Sequence, residues 1–168
     1  LLFVVLATVL GLPPVATMLF VLLNTILVGV SEEWMFRGVL FQGLRSRFRM
    51  LASIVITSAL FGAVHVLNVI TTGQLVEAVV QSVAAFMSGI VLIALLIRTG
   101  SLWVPIAYHA LWDLGTFVVS AGGSKSGPAL DLSHGWMWSV PLLLVLPNFL
   151  YALYLLRKVT NETRLTTD

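Results

Sequence analysis

Hydrophobic residues in this chain come in long unbroken runs rather than in alternation, and no charge appears before Glu32. Runs of that length read as helices, and about 17–25 mostly apolar residues are enough to cross a bilayer. The pair Pro13-Pro14 after Gly11 suits a helix start, where missing N–H donors cost nothing. An apolar run follows to Val30, and helical pattern continues through Glu32, Glu33 and Arg37 to about Leu44. At 1.5 Å per residue this is some 46 Å, too long for one straight span, so the helix is tilted, protruding or broken near Gly29. Further spans are expected over 51–68, 75–97, 102–121 and 136–156, the last bent at Pro141 or Pro147. Between the last two, Gly122 to Gly135 reads as a flexible surface loop. The chain opens on Leu1-Leu2 rather than Met, which reads as the tail of a truncated helix with upstream spans missing. A signal peptide would show a basic start and a cleavage site of small residues, and neither is visible.

Composition agrees. Of 168 residues, 59% are hydrophobic and 10% charged, too few charges to solvate a globule of this size. A soluble domain and a disordered chain are both excluded. With no cysteine, thiol catalysis, disulfides and Cys-ligated zinc are excluded too. The net charge is +2, and no basic stripe of the kind that binds nucleic acid is present. The expectation is a single all-α domain over 1–168, a polytopic bundle of about five to six membrane helices with membrane lipids around it and a polar site inside.

Basic loop residues set the orientation. Arg45, Arg47, Arg49, Arg98, Arg157, Lys158 and Arg164 fall on one side by parity and only Lys125 on the other, seven against one. The seven mark the cytoplasmic face, where the sequon at Asn161 would be idle. Small residues four apart, Ser58 and Gly62, Ala59 and Ala63, Ala85 and Gly89, would allow close helix approach.

Six ionisable residues remain inside the expected spans: Glu32, Glu33, Arg37, His65, His109 and Asp113. A charge at the bilayer centre costs about 2.5–3.5 kcal/mol on insertion scales, which makes each a functional candidate. Glu33 and Arg37 are i,i+4 with the acid first, the favourable order for a helical ion pair. Glu32 points about 100° away around the helix and lacks a local cation, the setting of a carboxylate that can shuttle protons. His109 and Asp113 share one helix face, where the carboxylate can orient the imidazole or both can hold a metal or a water. Roughly 18, 21 and 10 Å separate Glu32, His65 and His109 from the cytoplasmic end, compatible with one cluster. His134 falls in the outer loop, solvated, and Glu77 near the outer end of its span. Tyr108, Trp112 and Trp34 flank the motifs, as packing residues or as the lining of a substrate groove.

At these residues the sequence resembles the CAAX-protease and bacteriocin-processing family of intramembrane proteases, also called the abortive-infection family. Its three motifs stand here as Glu32-Glu33-Trp34-Met35-Phe36-Arg37, Phe61-Gly62-Ala63-Val64-His65 and His109-Ala110-Leu111-Trp112-Asp113, within a resemblance covering roughly 14–120. The resemblance implies an all-helical fold and hydrolysis of a peptide bond by activated water, in a membrane-associated or lipidated peptide or protein. It implies Glu32 as general base, His65 as holder of the water, His109 and Asp113 as stabilisers of the oxyanion, and Glu33 with Arg37 as the frame. The prenyl-protein branch carries Asn where Asp113 stands, and an ionised Asp accepts hydrogen bonds but cannot donate them. Asp113 is therefore open to other roles: orienting His109, or joining Glu32, His65 and His109 as ligands of a divalent metal such as zinc. A mechanism without a cofactor is favoured. The rivals are a catalytically silent member acting as an immunity or scaffold protein, and an ion or proton transporter.

Overall fold

The computed structural model describes residues 2–123, 139–157 and 159. The sequence readings at Lys125, His134, Trp136, Lys158, Asn161 and Arg164 lie outside the described residues. Helix α1 (Leu2–Leu10) is separated from α2 (Val15–Glu33) by Gly11, at φ 91°, and the two prolines. The missing Cβ makes the left-handed backbone accessible at Gly11. Then come a π-helical stretch (Trp34–Leu40), α3 (Phe41–Arg45), α4 (Met50–His65), a 3₁₀ turn (Val66–Asn68), α5 (Val69–Thr72), α6 (Leu75–Thr99), α7 (Trp103–Gly123) and α8 (Val140–Leu156). No strand occurs among the described residues. The molecule is an all-α bundle.

Among the described residues, three stretches are long and apolar enough to cross a membrane, Val15–Arg45, Met50–Thr72 and Leu75–Thr99, and Val140–Leu156 is a shorter apolar helix. Helix α7 has 21 residues, about 31 Å, but carries both His109 and Asp113 within its apolar sequence. The long first helix does not break at Gly29. It runs on and changes its winding five residues later, into the π-helical stretch that holds Arg37. Gly29 serves close packing instead: a Cβ there would lie 3.2 Å from the Ile106 carbonyl oxygen and 3.3 Å from the Ala110 nitrogen, so α2 and α7 touch backbone to backbone.

Helix α6 is the centre. Its residues Ile90 to Ala94 are all buried, with α4 and α8 packed on it and α7 beside it. α7 in turn carries α2 and α1. The small-residue expectation holds for two of its three pairs. A Cβ on Gly62 would fall 2.7 Å from the Ser82 oxygen, and one on Gly89 2.9 Å from the Ser58 Cβ. Ser58–Gly62 of α4 thus meets α6 at Ser82–Gly89, while Ala59 and Ala63 face outward. Helix α8 stays helical through Pro147, with Pro141 in its first turn. Polarity is arranged inside out. Leu19, Phe20, Leu23 and Leu27 of α2 are exposed, whereas Thr25, Glu33, Arg37, Thr57, Ser58 and His109 are buried. Lipid is the solvent that tolerates such an exterior.

Candidate active site

The expected cluster exists, and Glu33 is its hub. Its carboxylate and the Arg37 guanidinium are both fully buried, with Arg37 Nη1 donating to Glu33 Oε1 at 2.9 Å. His109 Nδ1, reaching across from α7, lies 2.8 Å from the same oxygen. A carboxylate oxygen only accepts, so this ring nitrogen carries the hydrogen. Arg37 Nη2 donates to the Gly89 carbonyl of α6 at 3.3 Å, and the guanidinium stacks 4.2 Å from the Phe61 ring centroid of α4. Five elements, α2, the π-helical stretch, α4, α6 and α7, are thus tied through Glu33 and Arg37. The π-helical turn helps by turning Phe36 and Arg37 inward together, leaving Trp34 and Met35 outside. Such turns recur at functional sites.

Glu32 is differently placed. Its side chain is 32% exposed, and its Oε2 lies 3.9 Å from His109 Nε2, too far for a hydrogen bond. That oxygen is buried without a hydrogen-bond partner among the described residues. Asp113 Oδ2 lies 3.5 Å from the same Nε2. The imidazole of His109 is therefore gripped by Glu33 at one nitrogen and faces Glu32 and Asp113 with the other. His65 Nδ1 lies 2.7 Å from the Phe61 carbonyl oxygen, so it too carries the hydrogen, and Nε2 is left with its lone pair.

Glu32, His65, His109 and Asp113 line one cavity of about 610 Å³. A second, more apolar hollow shares His65, His109 and Asp113 and extends past Tyr108 and Trp112 towards α8. Of the three flanking aromatics, Tyr108 and Trp112 line it and Trp34 does not. Glu77 also lines it, half-buried on α6. The sequence reading did not single out Asn24, Asn68, Gln81, Thr116 and Ser120, which complete the first cavity's polar wall. Their signal was available as uncharged polar residues within apolar spans. The Gly89 and Phe61 carbonyls had no such signal. Among the described residues, no group of three or more His, Asp or Glu is gathered as a metal would require.

Residues 14–115 match the family described as type II CAAX prenyl endopeptidase Rce1-like. That stretch is more than half of the chain and contains all six ionisable residues, and the chain belongs to this family of membrane proteases. No curated protein and no solved structure matches it.

Proposed function

We propose that this chain is an intramembrane endopeptidase that hydrolyses a peptide bond with water activated by Glu32. The observation that carries the reading is the division of labour between adjacent glutamates. Glu33 accepts from both Arg37 and His109 through Oε1, its Oε2 being unpartnered, whereas Glu32 makes no hydrogen bond among the described residues and lines a cavity walled by two imidazoles. A carboxylate held by Arg is a poor base, and the free one is the better.

In this mechanism a water is held between Glu32 and the His65 Nε2 lone pair. Its oxygen attacks the scissile carbonyl carbon while its proton passes to Glu32. With both ring nitrogens protonated, His109 keeps Nδ1–H on Glu33 and offers Nε2–H to the oxyanion. A preorganised donor of this kind is worth about 3–4 kcal/mol. The carbon–nitrogen bond then breaks, and the leaving amine takes the proton from Glu32. The Asp113 carboxylate, 3.5 Å from Nε2, supports the positive charge of the doubly protonated His109 ring.

The test is purification in detergent, incubation with a peptide and lipopeptide library, and comparison with Glu32→Ala and His65→Ala. Both substitutions are expected to reduce cleavage by at least about 10²-fold; cleavage by all three proteins alike would end the proposal. Asp113→Asn, which can still engage His109, is expected to retain measurable cleavage. Chelators are expected to leave the rate unchanged, and stoichiometric zinc in the active preparation would overturn the metal-free mechanism.

A further inference from the structure

The arginines of the described residues outside the site gather at one end of the bundle. Arg45 closes α3, Arg47 and Arg49 lie in the turn before α4, Arg98 is in the last turn of α6, and Arg157 follows α8. Phe41, Met50, Leu96, Leu102 and Leu156, beside these arginines in sequence, share one apolar cluster, and the Arg98 guanidinium donates to the Leu155 carbonyl. Between this end and the ionisable residues the interior is filled. Phe36, Phe41, Ile54, Phe61, Ile93 and Leu96 are all buried.

Away from the arginines the same helices line a polar hollow. From the arginine end, α2 passes Glu32 and then reaches Asn24. Beyond α4, Asn68 follows His65, and on α7 Thr116 and Ser120 follow Asp113. Asn24, Asn68, Thr116 and Ser120 line the cavity with Gln81 from the N-terminal half of α6, and Asn24, Gln81 and Ser120 are exposed. The more apolar second hollow adds Ser88 and Tyr108 nearer the arginine end, whereas every uncharged polar residue that lines this first cavity lies on this side. Hydrocarbon cannot satisfy such groups, so they mark a wet passage.

We propose that substrate enters from the membrane face opposite the arginines, and that the segment cleaved is polypeptide on the translocated side of the bilayer. The sidedness follows from the charge bias, since basic residues stay on the cytoplasmic face. The choice of substrate class rests on the endopeptidase reading; the side of entry does not.

The chain has no cysteine, which permits a direct test on the full chain. Single substitutions Ser120→Cys, Thr116→Cys and, at the arginine end, Ser46→Cys are exposed to a membrane-impermeant maleimide in spheroplasts and in inside-out vesicles. Ser120→Cys and Thr116→Cys are expected to react from the outer face and Ser46→Cys from the inner face. Modification of all three from the same face, failure of both cavity positions to react from either face, or an outward-facing Ser46→Cys would overturn the proposal. Peptides cleaved in detergent are then presented on either side of oriented proteoliposomes. Cleavage is expected on the face where Ser120→Cys reacts, at least tenfold faster than on the other. Cleavage confined to the Ser46→Cys face would overturn the substrate class. Absence of any peptide cleaved in detergent would remove the endopeptidase reading and the substrate class with it, while labelling would still decide the side of entry.

Discussion

Glu32 and Glu33 are adjacent and chemically identical, yet their surroundings assign them different tasks. Glu33 Oε1 accepts from two helices at 2.9 and 2.8 Å, so removing it leaves a fully buried guanidinium without its anion. Breaking a buried pair in this way costs about 3–5 kcal/mol. Glu33→Ala is therefore expected to lower thermal stability in detergent markedly, whereas Glu32→Ala should melt close to the parent while losing cleavage. Equal melting temperatures for the two variants would contradict the division of roles. Arg37→Lys tests the same node. The guanidinium reaches Glu33 and the Gly89 carbonyl with two nitrogens, a fork that an ammonium cannot reproduce. A loss of about 1–3 kcal/mol is expected, read as a lower melting temperature that Arg37→Ala exceeds. At this scale the ion pair and the spare carboxylate were legible from the spacing of the motif. The bond from His109 to Glu33 was not, because it joins residues 76 apart in the chain and no periodicity reports it.

Among the elements, the α4–α6 contact bears most directly on the site, since it presents the Gly89 carbonyl to Arg37. Gly62 and Gly89 stand where a Cβ would collide with backbone or Cβ atoms at 2.7 and 2.9 Å. Gly62→Ala and Gly89→Ala should force the helices apart at a cost of about 1–3 kcal/mol. Gly43 has nothing within 4 Å of an added Cβ, and Gly43→Ala in α3 is expected to be neutral or to stabilise by up to about 1 kcal/mol. Thermal melts of the three variants in one detergent check the ordering. The helices were legible in the apolar runs, and the start of α2 in the pair Pro13-Pro14. The π-helical winding over Trp34–Leu40 was not legible. It answers to burial of Phe36 and Arg37 against other helices, and helical winding in isolation has no reason to choose it.

For the molecule as a whole, α6 is held between α4 and α8, with Ala152 and Leu156 of α8 buried in the same cluster as Ile93, Ala94 and Leu96. A chain ending at residue 123 would uncover that face, and it is expected to lose its monodisperse elution in detergent although every motif residue is retained. Membrane residence, the all-helical class and the six ionisable candidates were determined by the sequence itself, because long apolar runs with so few charges have one stable solvent and the charges within them stand out. The bond from His109 to Glu33, and the gathering of Glu32, His65, His109 and Asp113 around one cavity, were decided only by tertiary structure. Those outcomes depend on distances between side chains of different helices, and a linear pattern carries no record of how helices are turned towards one another.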